Sequence, residues 1–91
     1  MKSVIQENKE CFVCGKTYDL QLHHIYRTPY RNKSTMYGMT VWLCFDHHTG
    51  TNGVHNGNKA VDLYLKQLGQ RKFEEVYSRE KFIETFGRSY L

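Results

Sequence analysis

A small α+β domain is the fold class this sequence predicts, on three observations. The chain has 91 residues, enough for one domain and not for two. Its three cysteines fall into Cys11-x-x-Cys14 and Cys44-x-x-His47, short motifs of the kind that hold a metal. Its apolar residues run first as two short strand-like stretches and then, from about residue 59, at helical spacing.

The elements follow in order. Residues 1–10, MKSVIQENKE, are polar and predict a flexible lead with no apolar stretch of the secretory kind. Cys11-Phe12-Val13-Cys14-Gly15 reads as a knuckle, a tight turn whose amides point at two sulfurs, with Gly15 suited to a positive φ. Leu20, Leu22 and Ile25 flank His23-His24, and a short strand there sends the two rings to opposite faces. Residues 26–39, carrying Pro29, Asn32, Ser34 and Gly38, predict a loop. Thr40-Val41-Trp42-Leu43 is β-branched and aromatic and predicts a second strand entering Cys44. The TGTNGVHNGN stretch is rich in turn formers and predicts a loop following one helical turn.

Asn58 then caps a helix beginning near Lys59 or Ala60. Its inner face holds Val61, Leu65 and Leu68 with Tyr64 beside them, extended by Phe73, Val76 and Tyr77. Gly69 weakens that helix by about 1 kcal/mol relative to Ala. Ser78 caps a last helix, closed by Gly87, with Phe82, Ile83 and Phe86 as its apolar stripe. The expected organisation is a lead over 1–10 and one domain over 11–91, divided into a metal-bearing core, 11–58, and a helical extension, 59–91.

Composition narrows the function classes. A hydrophobic fraction of 40% with 7 Tyr and 5 Phe excludes a disordered chain. No stretch reaches the roughly 20 apolar residues of a membrane span. An odd, clustered set of cysteines argues against a disulfide framework and for a reducing compartment, most simply the cytoplasm. The net charge of +4 hints at a polyanionic partner, and residues 20–45 hold Arg27, Arg31 and Lys33 with no acid. These three side chains are candidates for contacting a phosphate backbone, a contact that carries little sequence preference.

Cys11-x-x-Cys14 and Cys44-x-x-His47 have 29 residues between them. Together they supply Cys3His, a standard structural zinc composition, and thiolates favour zinc over magnesium. His48 lies next to His47, so spacing alone leaves the fourth ligand open between them. Two strands and a short helix bury little, so the metal must supply folding energy directly. Structural zinc is worth about 10–16 kcal/mol in apparent terms. The remaining histidines are many, and the adjacent His23-His24 pair suits a site in which one imidazole holds a divalent cation and the other takes a proton near neutral pH.

The order CxxC, a His-bearing strand, then LCxxHH leading into a helix resembles the zinc-bearing branch of the ββα-metal, or HNH, nuclease superfamily. More closely, CxxCG…LHHI…WLCxxHHTGTNGVH, with a helical tail ending GRSYL, is similar to small phage-encoded proteins of the recombination-enhancement, RecA-dependent nuclease family. The resemblance covers residues 11–91. It implies a zinc-bound ββα-metal core with a C-terminal helical extension.

That resemblance also implies roles. Cys11, Cys14, Cys44 and His47 bind structural Zn²⁺. His24 is the water-activating base. His23 and His48 bind the catalytic cation, Mg²⁺ or Mn²⁺, with Co²⁺ or Ni²⁺ as substitutes, and His55 is a further cation ligand or a phosphate contact. Met39 stands where the family carries the Asn that braces the loop between the strands. That leaves the bracing residue unassigned, with Asn32 a substitute. The expected activity is hydrolysis of DNA phosphodiester bonds to 5′-phosphate and 3′-hydroxyl ends. The expected partners are DNA and a RecA recombinase filament, inside a bacterial host cell. Two rival readings use the same knuckles: a zinc-stabilised module that binds nucleic acid without cutting, and a phage protein that kept the frame and lost catalysis.

Overall fold

The computed structural model describes residues 2–91; Met1, the first residue of the expected lead, lies outside the described residues. Leu20–His24 (β1) and Thr40–Cys44 (β2) form an antiparallel two-stranded sheet, with Leu22 opposite Trp42, His23 opposite Val41 and His24 opposite Thr40. The strand alternation separates the histidines as expected: His23 is buried and His24 half-buried. Gln21 shares the face of His23.

The segment between the strands departs from the expected loop. It carries a helix, α1 (Arg31–Met36), which starts directly after Pro29 and Tyr30. Six residues are too few to leave a periodic signal, and the turn is fixed by tertiary contact. The buried Ser34 hydroxyl donates to the Tyr26 carbonyl at 2.7 Å and accepts from the Tyr26 amide at 3.1 Å, and the Ser34 carbonyl accepts from the Met39 amide at 2.7 Å. Ser34 therefore braces the segment between the strands. Asn32, considered for that work, is exposed.

Residues 3–6 of the expected flexible lead are tied down. Ser3 donates to the Thr40 carbonyl, the Val4 amide to the Gly38 carbonyl at 2.9 Å, and the Trp42 amide to Gln6 Oε1 at 2.7 Å. The Phe12 amide donates to the Trp42 carbonyl at 2.9 Å. These bonds take up backbone groups along the outer edge of β2, which an open sheet would leave unpaired.

Cys44 leads into a single helical turn, α2 (Phe45–His48), and a short 3-10 turn follows at Val54–Asn56. Helix α3 runs Lys59–Glu74 and α4 runs Arg79–Phe86. Their caps are as expected: Asn58 accepts from the Val61 amide, Ser78 accepts from the Lys81 amide, and Gly87 is left-handed at φ 90°. The inner face of α3 ends sooner than expected. The helix stops at Glu74, the chain turns, and Val76 and Tyr77 are 76% and 44% exposed while Phe73 stays buried. Ile83 likewise faces outward, leaving Phe82 and Phe86 as the stripe of α4.

The core is aromatic. Tyr26 packs against Phe86 and Phe82 with ring centroids 4.3 and 5.3 Å apart, and Phe73 lies 5.8 Å from Phe86. The Tyr26 hydroxyl donates to the Lys66 carbonyl at 2.6 Å. Gly69 permits this approach, since a Cβ there would sit 2.7 Å from that hydroxyl. Among the described residues no helix is long and apolar enough to cross a membrane.

Candidate metal centres

Two clusters of metal-ligating side chains each join one strand to α2 and a neighbouring turn. In the first, one donor atom each from Cys11, Cys14, Cys44 and His47 lies within 4.8 Å of all the others. Cys14 Sγ is 3.8 Å from Cys44 Sγ, Cys11 Sγ is 3.9 Å from His47 Nδ1, and Cys44 Sγ is 3.2 Å from the same nitrogen. A tetrahedron with metal–sulfur bonds of ~2.3 Å has edges of ~3.8 Å, so the four donors fit a zinc ion. The sequence left the fourth ligand open between two histidines; His47 is the one that faces the thiols.

The thiol electrostatics suit a cation. Burial pushes the Cys11 thiol up, but backbone hydrogen bonds from Cys44, Cys14 and Val13 outweigh it and bring the pKa down to about 6. The Lys16 amide lowers Cys14, yet desolvation and the crowding sulfurs of Cys11 and Cys44 together leave its pKa raised. The raised Cys14 thiol is the mark of sulfurs crowded together without positive charge between them.

The second cluster is His23, His48 and His55, again with donor atoms within 4.8 Å of one another. His23 comes from β1, His48 is the last residue of α2, and His55 sits in the 3-10 turn. Ring centroids are 5.3 Å apart for His23–His48 and His23–His55, and 4.6 Å for His48–His55. The glycine-rich loop makes this possible by folding back on α2. A Cβ on Gly53 would lie 2.6 Å from the His48 carbonyl oxygen, so only glycine allows the approach. Asp46 holds the same loop by accepting from the Asn52 side chain at 3.0 Å.

Both ring nitrogens of the buried His23 have no hydrogen-bond partner among the described residues. A buried imidazole is seldom left so, and a bound cation would satisfy it. Burial first, then the neighbouring His48, His55, Arg27 and His24, lowers its pKa to about 3. Burial, then His55, His24 and Arg27, lowers His48 to about 4. Burial and Arg27 also lower His55 against a smaller upward pull from Asp62. All three rings are neutral at pH 7 and able to ligate. Three imidazoles without a carboxylate make a borderline-soft set, better suited to Mn²⁺, Co²⁺, Ni²⁺ or Zn²⁺ than to Mg²⁺.

A cleft of about 530 Å³ opens beside this cluster, lined by Leu22, His24, Arg27, Thr28, Arg31, His48 and His55. Arg31 Nε lies 3.4 Å from His24 Nδ1. Arg27 Nη1 lies 3.0 Å from His55 Nδ1, and its Nη2 pairs with Asp62 at 3.3 Å. Lys33, two residues after Arg31 on α1, is exposed and outside the cleft lining, with its ammonium 5.7 Å from the Tyr30 ring centre. No protein-family model, curated protein or solved structure matches this chain.

Two residues of this site carry no signal in the sequence: Gln21, which meets His48, and Asp62, which pairs with Arg27, each act on a partner 27 or more positions away.

Proposed function

We propose that this chain is a metal-dependent DNA endonuclease of the ββα-metal (HNH) type. The observation that carries the reading is the three-histidine cluster beside a thiol-rich centre, with His24 and two arginines on the rim of one cleft. The order β1, β2, α2 and the motif resemblance described above support the fold assignment. The part in phage DNA recombination, a RecA filament as partner and a bacterial host cytoplasm rest on that resemblance alone.

In this reading Cys11, Cys14, Cys44 and His47 hold the structural zinc. His23, His48 and His55 hold the second cation, Mn²⁺ or Mg²⁺, which when bound offsets charge on the reacting phosphate and the departing oxygen. His24 does the proton chemistry. Arginine donates and never accepts, so the Arg31 contact implies a lone pair on Nδ1 and the proton on Nε2. Nδ1 is therefore the basic nitrogen, and the long Arg31 contact must open before it takes a proton from water. Burial and the Arg31 charge lower the His24 pKa, keeping the ring in its basic form at pH 7. Arg27 and Arg31, on the cleft rim, contact the phosphate backbone.

Plasmid nicking by the wild type and by His24→Ala, each with Mg²⁺, Mn²⁺ or EDTA, tests the reading. Cation-dependent nicking by the wild type alone is expected. Absence of nicking on both naked and recombinase-coated DNA would turn the assignment to a zinc-stabilised binding module.

A further inference from the structure

His48 makes its closest polar contact outside the cluster. Its Nδ1 lies 2.5 Å from Oε1 of Gln21, 27 residues earlier in the chain. Gln21 and His23 sit two apart on β1 and share one face, so both reach toward α2 from the same side of the sheet. An amide oxygen only accepts, so Nδ1 of His48 carries the ring proton and Nε2 keeps its lone pair. With Nδ1 engaged outside, the nitrogen left for the cluster is Nε2.

We infer that Gln21 is the positioning residue of the cation site: it fixes the tautomer and ring angle of His48 so that Nε2 is presented as a ligand. Histidine ligands generally donate their second ring N–H to an acceptor, and such partners raise ligand basicity and hold the ring. His48 needs this more than His23. His23 is fixed on all sides by burial, whereas His48 stands at the free end of a four-residue helix and is partly open to solvent. The inference rests on the cation-site reading above, but not on what the site does with DNA.

The test uses the full-length, zinc-loaded chain. Two variants separate acceptor from packing: Gln21→Glu keeps an acceptor oxygen, and Gln21→Leu keeps the bulk without it. Imidazole ¹⁵N spectra at pH 8, assigned with a His48→Ala control, report which nitrogen carries the proton. Calorimetric titration with Mn²⁺ reports affinity. The wild type and Gln21→Glu should show the Nδ1–H form. Gln21→Leu should populate Nε2–H and bind Mn²⁺ about tenfold more weakly, with zinc content and thermal midpoint unchanged. A wild-type Nε2–H ring, equal affinities in wild type and Gln21→Leu, or no Mn²⁺ binding by the wild type would each overturn the inference. Failure to nick DNA with the tautomer and affinity as expected would instead remove the nuclease reading and leave Gln21 in its role.

Discussion

Arg31 points its Nε at Nδ1 of His24 across 3.4 Å, so an obligate donor faces the basic nitrogen of that ring on the cleft rim. In the proposed reaction the pair would link phosphate binding to proton transfer, because burial and this guanidinium lower the His24 pKa and the same guanidinium would attract a phosphate. A reaction that needs neutral His24 rises with pH through a midpoint below the ordinary 6.5. Arg31→Ala should move that acid limb upward and lower the plateau. His24→Ala should lose about 10²–10⁴-fold in rate while keeping zinc. Nicking rates from pH 5 to 8 check both; an acid limb that ignores Arg31 would remove the coupling.

The zinc prediction concerns folding. Cys14→Ser removes one corner of the Cys3His set and should release the metal and unfold the chain, because the metal supplies folding energy on the order of 10 kcal/mol. Native mass spectrometry and circular dichroism read metal content and fold together. A variant that stays folded at an unchanged midpoint would contradict the assignment.

Acid should weaken the fold through the histidine cluster. In the unfolded chain imidazole titrates near 6.5, whereas His23 and His48 titrate near 3 and 4 in the fold. The neutral rings therefore contribute stability that is complete above about pH 6.5 and is lost as the pH falls toward 4 and 3. For His23, almost wholly buried, the full loss is roughly 5 kcal/mol. Urea midpoints of zinc-loaded protein, free of other cations, should fall between pH 6.5 and 4.5 more steeply than those of His23→Leu. Parallel slopes would exclude His23 as the source.

Arg27 and a cation compete for His55. A neutral imidazole has one lone pair, and Arg27 occupies it at Nδ1, so ligation by either nitrogen must open the contact. Arg27→Ala should raise Mn²⁺ affinity by up to about fivefold, since an exposed charged contact is worth roughly 1 kcal/mol at most. It should also weaken binding to a non-cleavable DNA duplex. Calorimetry with each ligand decides, and a fall in Mn²⁺ affinity would mean that Arg27 supports His55 instead.

Gly69→Ala tests packing against propensity. Alanine gains about 1 kcal/mol in an exposed helix. Here its Cβ meets the end of a buried, hydrogen-bonded tyrosine ring that has no room to swing. Net destabilisation of about 1–3 kcal/mol is expected from a thermal melt. A stabilised variant would show that Tyr26 can retreat.

What could be read from the sequence was local. The Asn58 and Ser78 caps, the cysteine knuckles and the opposed histidines of β1 each depend on a few neighbouring residues. What escaped depends on distant ones. Helix α1 is held by Ser34 on Tyr26, and residues 3–6 are ordered by the edge of β2. Val76 and Tyr77 continued an apolar rhythm past Glu74, and no cap signal there betrayed the helix end. In the site, residue types pointed to the three cysteines of the first cluster and narrowed its fourth donor to His47 or His48, and only the fold separates those two. The partners that orient the other histidine rings, Gln21, Arg27 and Arg31, act through contacts that only the folded chain makes.

Tyr26 stands two residues beyond the His pair of β1, with its ring rooted between α3 and α4 and its hydroxyl on the α3 backbone. The strand that carries the two histidines is thus founded on the helices that follow it. A fragment ending near residue 58 would keep every metal ligand and lose the floor beneath them. Neither part is a cassette that could be excised and grafted: transplanting the site into another scaffold would mean carrying the last two helices with it, or rebuilding an aromatic socket for this one side chain.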